Sequence, residues 1–582
     1  MRNSLALVHA FFFIFLFFNS FGQWNDDTLI GGKMLIKNQY LSGSQPAFSI
    51  SDNSGGSVHA FKKFNGAVAP AENSIHLQRI DSTGSLRWGT PDSGTILTRF
   101  NNYSALPSLF DLKPGNQDGA YVLYSVPNRT VNPDSFYLCV QQIDTAGIAL
   151  WPFPGKVITS GVVTFTASSY FKAKLCIAPT GVCVLWRTNG NERYGKLYAQ
   201  KIAADGRFMW DAEGVEVCTA PSLSGTFYCV PDGTGGMVAA FLDSRNGIYN
   251  DSSGQYNKMG IYAQRINSNG ERMFGDEGIL AAGNTADSMT LLTENETARV
   301  MLPDGAGGCY FFYGKYSGVS GGIIYTQRLD SIGQPQWGNY GSLVKVTSDT
   351  DFIYSCKLYL HPSGGSIISV YSTNGGSSIW NRYHLFLQSF NSEGVRLFSD
   401  AIKAGLATKS SNDRSEYAFD ALVDFAGNTT LLFYGAGSEH SPRFQIIRPD
   451  GTLVWDAAGK TIVRKNANRV QVLAGNNGYT LLQWFDNRNQ PAFEMYTRDV
   501  FVSRIDQDGN ISSSRRTIIS TSGGNWNDPG TWQGGVVPGP GDIVSVAHAV
   551  VINADASCYS LTVQQPEGNV AVISGVNFIV LH

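Results

Sequence analysis

The stretch "YAQRINSNGERMF", Tyr262 to Phe274, crowds Gln, Arg, Asn and Glu side chains around one glycine and closes on an aromatic. Met once, it has the look of a site. Aligned on Gly270, however, it has seven relatives: "LQRIDSTGSLRW" (Leu77–Trp88), "VQQIDTAGIALW" (Val140–Trp151), "AQKIAADGRFMW" (Ala199–Trp210), "TQRLDSIGQPQW" (Thr326–Trp337), "LQSFNSEGVRLF" (Leu387–Phe398), "FQIIRPDGTLVW" (Phe444–Trp455) and "VSRIDQDGNISS" (Val502–Ser513). The glycine recurs as Gly84, Gly147, Gly206, Gly333, Gly394, Gly451 and Gly509. Six residues before it stands Gln78, Gln141, Gln200, Gln264, Gln327, Gln388 or Gln445, and only Ser503 departs. Four residues after it stands Trp88, Trp151, Trp210, Phe274, Trp337, Phe398 or Trp455, and only Ser513 departs. Copies lie 57 to 64 residues apart. A pattern repeated at that period is scaffold rather than chemistry.

Each unit reads as four strands. A Gly-rich turn precedes every copy ("DNSGG", "PDGTGG", "PDGAGG", "DFAGN"), flanked by β-rich runs such as "MVAAFL" and "TLLFY", a hairpin signature. A third strand carries the Gln, turns at Asp-x-x-Gly, and a fourth begins at the aromatic. The glycine suits a tight turn with positive φ, the aromatic a wedge between neighbouring units, and the Gln a hydrogen bond to backbone. The expected fold is all-β: an eight-bladed β-propeller of four-stranded blades over residues 23–520. The last copy lacks its aromatic, and "WNDDTLIGGKMLIKN" (Trp24–Asn38) is a strand-like segment with no repeat before it. It is expected to supply the missing strand of the last blade and close the ring without an open edge.

The Asp-x-x-Gly-x-x-x-Trp pattern resembles the tryptophan-docking motif of quinoprotein-type eight-bladed propellers, and is similar to the delta-60 repeat. Closest is a repeat of secreted Bacteroidota proteins, matched by "AFLDSRNGIYN…GIYAQRINSNGERMF" (Ala240–Phe274) and, in its first half, by "QWFDNRNQ" (Gln483–Gln490). That resemblance covers residues 24 to about 520 and implies fold more than activity. The tail, "GGNWNDPGTWQGGVVPGPGDIVSVAHAVVINADASCYSLTV" (Gly523–Val563), resembles the start of a β-solenoid-like domain related to the eight-glycine extracellular domain. The resemblance implies further coils and a type IX sorting domain, so residues 521–582 read as an incomplete solenoid-like domain of a truncated chain.

Residues 1–22 read as a signal peptide: Arg2, an apolar run from Leu5 to Phe18, then small Ser20 and Gly22. The run is too short to span a bilayer, so the mature chain is expected to be secreted or held at the cell surface. Lys plus Arg (43) nearly balances Asp plus Glu (46) with no basic stripe, which argues against nucleic acid as a partner. Export permits disulfides; in "CIAPTGVC", Cys176 and Cys183 flank a turn as one candidate pair, and Cys218 with Cys229 is a second. The alternative is that they are small buried hydrophobes.

Catalytic signatures are thin. The histidines are scattered without HExxH or His/Cys ligand spacing. The glycine-to-aromatic spacing of four does not fit a sialidase-type Asp box, and no adjacent Cys-Cys pair marks a quinone enzyme. The variable parts are the loops between strands two and three, where rigid rings bind partners. Two of them share Asp-x-Arg-Asn: Asp243, Arg245 and Asn246, and Asp486, Arg488 and Asn489. These six are the candidate ligand-binding residues, with Asp243 and Asp486 as candidate Ca²⁺ ligands; the competing reading is an ion pair that stiffens the loop. No other cofactor is indicated. The function expected is a non-enzymatic binding or adhesion scaffold for an extracellular glycan or surface protein. The alternative is a polysaccharide-acting enzyme with acidic residues at the central channel.

Overall fold

A computed structural model describes residues 33–580 apart from short turns and the longer segments 41–47, 66–71, 101–107, 128–134, 165–172, 189–194, 221–225, 291–299, 317–321, 347–352, 362–366, 375–381, 409–418, 435–441, 462–466, 487–496 and 507–516. One compact unit comprises Trp24–Ser82 and Leu86–Thr517; a second centres on Ile518–His582. Among the described residues there is no α-helix.

The larger unit is a β-propeller. Its sheets follow the sequence repeat, each an antiparallel set of four strands; in two of them one outer strand is broken in two. The unit around the opening stretch is representative: strands Phe227–Pro231, Met237–Asp243, Gly260–Ile266 and Ile279–Ala282 pair in chain order. The first strands of successive units pack side by side in the order Phe48–Ser51, Leu109–Pro114, Ala173–Ala178, Phe227–Pro231, Met301–Pro303, Ile353–Leu360, Phe419–Val423 and Ala467–Ala474, and the last packs against the first. At four of these joints a polar side chain on the first strand pins one unit to the next. Asp111 Oδ2 accepts the Leu175 N–H (2.9 Å), Asp420 Oδ2 accepts the Val472 N–H (2.9 Å), and Gln471 Nε2 donates to the Ser49 carbonyl (2.8 Å). Lys357 Nζ likewise donates to the Phe419 carbonyl at 2.9 Å.

The recurring Gln is a hub. Gln264 Oε1 accepts the N–H groups of Arg265 (3.0 Å) and Phe274 (2.9 Å), while Nε2 donates to the Gly275 carbonyl (2.6 Å). Gln78, Gln141, Gln200, Gln327, Gln388 and Gln445 make the same three kinds of bond. Each side chain therefore clamps its third strand to the entry of its fourth, satisfying three backbone groups that the turn leaves without ladder partners. Gln264→Leu keeps the volume and orphans all three, at about 1 kcal/mol or more each. The expected loss is about 3 kcal/mol, read by urea unfolding; a change below 1 kcal/mol would contradict the hub role. Ser503, standing where the eighth Gln belongs, is buried with its Oγ unpartnered.

The aromatic and the glycine belong to one joint between units. Trp88 Nε1 donates to the Thr145 carbonyl (2.9 Å), Trp210 Nε1 to Ser268 (3.1 Å) and Trp337 Nε1 to Ser392 (3.0 Å), each acceptor lying in the Asp-x-x-Gly or Asn-x-x-Gly turn of the following unit. The ring covers the glycine of that turn. A Cβ on Gly147 (φ 82°) would lie 2.6 Å from Trp88 Cγ, and one on Gly270 (φ 89°) 2.9 Å from Trp210 Cγ. Glycine is required there twice, for left-handed backbone and for room.

The N-terminal segment closes the array as expected. Lys33–Tyr40 pairs antiparallel with Thr497–Ile505 and completes the sheet of Ala467–Ala474 and Thr480–Asp486; Trp24 lies outside the described residues. The seam is reinforced by an apolar cluster of Phe61, Ile80, Leu473, Leu481, Val500 and Val502. Arg504 NH1 donates to the Ser82 carbonyl (3.4 Å), repeating across the seam the Arg265 bond to Ser331 (3.0 Å) between ordinary neighbours. Beside it, Ser49 Oγ donates to Gln483 Oε1 (2.6 Å), so its oxygen receives the proton of His59 Nδ1 (2.9 Å), and Nε2 accepts from Ser57 (2.7 Å). His59 is thus held neutral. Burial lowers its pKa from 6.5 to about 3, against a smaller opposing contribution from Gln483.

Because the unfolded chain takes up this proton and the folded chain does not, the contribution is intact above pH 6.5 and is lost progressively as pH falls toward about 3. At about 1.4 kcal/mol per pH unit, the cost reaches about 2 kcal/mol by pH 5. His59→Gln is expected to flatten that part of the stability profile between pH 6.5 and 4. An unchanged slope would remove His59 as its source.

In the second compact unit the strands pair in parallel: Gly524–Asn525 with Ala549–Ile552 with Asn569–Val572, Ile543–Val546 with Ser560–Val563, and Ala556–Cys558 with Phe578–Val580. Trp526 meets Trp532 and Phe578 edge-on, each at 5.0 Å between ring centroids, over a core of Val544, Val546, Val550 and Ile552. The Trp pair of the tail is therefore core.

Candidate functional site

Asp243 ends the second strand of the fourth unit, opposite Gly260, which opens the third. The sixteen residues between them carry a separate two-stranded ribbon, Ile248–Asp251 with Gly254–Asn257. Lys258 N–H bonds the Gly247 carbonyl (2.7 Å) and fastens its base.

Below the ribbon lies a buried polar network. Asp243 is fully buried; Oδ1 accepts the Arg245 N–H (2.8 Å) and Oδ2 sits 2.6 Å from Arg245 NH2. The guanidinium lies over the Tyr262 ring at 3.9 Å and donates to the Glu277 carbonyl (2.9 Å) and to Cys218 Sγ (3.1 Å). Tyr262 O–H donates to Asn246 Oδ1 at 2.6 Å. Burial works against the charge on Arg245, but its hydrogen bond and ion pair with Asp243 outweigh that and raise its pKa. Burial also raises the pKa of Tyr262. Gly260 is needed for space: a Cβ there would fall 2.6 Å from Asn246 Nδ2 and 2.8 Å from the Tyr262 ring.

Asp243, Arg245 and Asn246 are thus brought together, with the Asp carboxylate engaged by Arg245 rather than turned outward. Tyr262, Cys218 and Glu277 complete the network. Nothing in the sequence tied them to this site: Tyr262 sits in the repeat itself, Cys218 reads only as a disulfide candidate, and Glu277 lies in a turn after the repeat. Asp486 ends the corresponding strand of the last unit, Thr480–Asp486, opposite Asp499; its side chain, Arg488 and Asn489 lie outside the described residues. Among the described residues no three His, Cys, Asp or Glu side chains gather as metal ligands would.

The candidate disulfides are not formed; every described cysteine is a free thiol. Cys176 and Cys183 do face each other across their hairpin, but Cys176 also neighbours Cys229. Cys218 is taken up by Arg245 and Glu277 instead of Cys229. One further string matches the letter of a nucleophile elbow, "GVSGG" at 318–322. It joins two antiparallel strands, Cys309–Tyr316 and Gly322–Leu329, whereas an elbow needs a strand followed by a helix. Ser320 lies outside the described residues.

What fold and site define together is a β-propeller with a rigid loop base on its fourth unit. No family model and no curated protein matches the sequence. By backbone the chain is similar to the BP39L lectin of Burkholderia pseudomallei (TM-score 0.40, 10% identity, 71% of this chain and 98% of that one). It is also similar to a polysaccharide lyase of family PL25, an ulvan lyase (0.38, 10%, 82% and 96%), and to a protein of unknown function from Dyadobacter fermentans (0.28, 12%, 57% and 93%). At these values the likeness carries neither a fold nor an activity over to this chain. Among the described residues no helix is long and apolar enough to cross a membrane.

Proposed function

We propose that this chain is an exported, non-enzymatic binding scaffold. In this reading a closed ring of eight four-stranded blades presents the fourth-blade loop to an extracellular glycan or a surface protein. The observation that carries it is the ribbon Ile248–Asp251/Gly254–Asn257, standing on a base fixed by Asp243, Arg245, Asn246 and Tyr262. A polar, Tyr- and Asn-bearing loop on a preorganised base loses little conformational entropy when it binds. The ring reading is supported by the run of first strands that returns to its start and by the closing strand. The parallel pairings after Ile543 support a β-solenoid tail, and the repeat's likeness to secreted Bacteroidota proteins supports export.

A glycoside hydrolase of the common kind needs two carboxylates free to converge on a bond. Asp111 and Asp420, the carboxylates described on the first strands, are both buried and bonded to backbone of the next unit, which favours binding over catalysis.

The test is an array of glycans and surface proteins probed with the mature chain, with and without Ca²⁺. Variants would carry Asp243→Ala, Asp486→Ala, or a two-glycine turn in place of residues 248–257. The turn replacement is expected to cut binding at least tenfold with an unchanged melting temperature. Undiminished binding would refute the loop's role, and release of reducing or unsaturated sugar from any glycan would establish the enzyme reading instead.

A further inference from the structure

The hairpin strands Ala173–Ala178 and Gly181–Arg187 close with Ala178 opposite Gly181, two residues from the pair Cys176 and Cys183. The closing pair of a two-residue turn is hydrogen-bonded, and pair types alternate, so Cys176 and Cys183 form another hydrogen-bonded pair, with Cα atoms about 5.5 Å apart. Side chains stand further apart there than at the intervening positions. Cys176 has a second neighbour on a different sheet. The first strand of the next unit, Phe227–Pro231, packs against Ala173–Ala178 and carries Cys229, which packs against the same buried cluster that holds Cys176 and Cys183. Cys176 and Cys183 are buried, whereas Cys229 is partly exposed.

We propose that Cys229 and Cys176 are a redox pair whose oxidation staples the third unit to the fourth, leaving Cys183 a free thiol. Exposure sets the order of events. A small external disulfide meets Cys229 first: the Cys229 sulfur attacks it, forming a mixed disulfide and releasing one small thiol with the proton. Cys176 then attacks the Cys229 sulfur, closing the Cys176–Cys229 bond and expelling the second small thiol with the Cys176 proton. Two thiols are oxidised and one disulfide is reduced to two thiols, so electrons and protons balance. Hydrogen bonding to Cys183 and Cys229, together with burial, pushes the Cys176 thiol well above its ordinary pKa, which keeps it from initiating. A bond between neighbouring sheets constrains the unfolded chain over the long span between residues 176 and 229.

The full chain would be incubated at pH 8 with oxidised glutathione, its remaining thiols alkylated under denaturing conditions, and its peptides mapped by mass spectrometry. The expected map links the Cys176 and Cys229 peptides and shows Cys183 alkylated. Cys183→Ser should keep the link and a rise of several degrees in melting temperature on oxidation, and Cys229→Ser should lose both. A Cys176–Cys183 link, a glutathione adduct that stays on Cys229, or retention of all thiols would overturn the proposal.

Discussion

Trp210→Ala is expected to lower the unfolding free energy by about 3–5 kcal/mol, the cost of emptying a large aromatic site that cannot collapse. Trp210 is 7% exposed, rests on Gly270 of the next unit and spends its only polar hydrogen on the Ser268 carbonyl. The loss has three parts: buried area, ring-to-glycine contact and an orphaned carbonyl. Trp210→Phe separates them by restoring most of the area without the hydrogen bond, and should recover more than half. Met273, in the same kind of turn but 48% exposed, is the control. Its alanine variant should fall within about 0.5 kcal/mol of wild type. Equal effects at the two positions would show that the aromatic is not a joint between units.

Removing residues 24–40 should have the other large effect. The strand Lys33–Tyr40 contributes five register partners to Thr497–Ile505. At about 1 kcal/mol net per backbone hydrogen bond, the ladder alone is worth about 5 kcal/mol. Its loss also bares a long apolar edge through Val500, Phe501 and Val502, the kind of edge that recruits other chains. The shortened protein is expected to unfold at lower urea and to associate, seen as a rising mass in light scattering. A monomer of unchanged stability would mean that the ring does not depend on this strand.

The scaffold was legible because it is repeated. Gln264, Gly270 and Phe274 could be separated from site residues by their relatives elsewhere in the chain, and the missing aromatic at Ser513 pointed to the seam. The direction of the joint was not legible. Spacing ties Gly270 to Phe274 within one copy, whereas the contact runs from Trp210 of one unit to Gly270 of the next, a relation between copies that no single copy records. The pins at Asp111, Lys357, Asp420 and Gln471 leave no repeated letter in the sequence, because their chemistry changes from unit to unit while their place does not. An acid there reaches an N–H, and an amine or amide reaches a carbonyl. Cys218 and Cys229 are a possible pair in the sequence, yet the fold packs Cys229 against the cluster that holds Cys176. At the candidate site, Asp243 and Arg245 were found by their motif. Tyr262, which holds Arg245 from below, looked like an ordinary strand aromatic.

The chain closes on itself through its N-terminal strand, and the ring and the scaffold role of its motif depend on that closure. Hydrogen exchange of the Lys33–Tyr40 amides in the native protein tests this most directly. Amides in the ladder should be protected to nearly the same free energy as those of Thr497–Ile505, and both sets should become exposed together as urea is raised. Exchange of Lys33–Tyr40 at unstructured rates, with Thr497–Ile505 still protected, would contradict it.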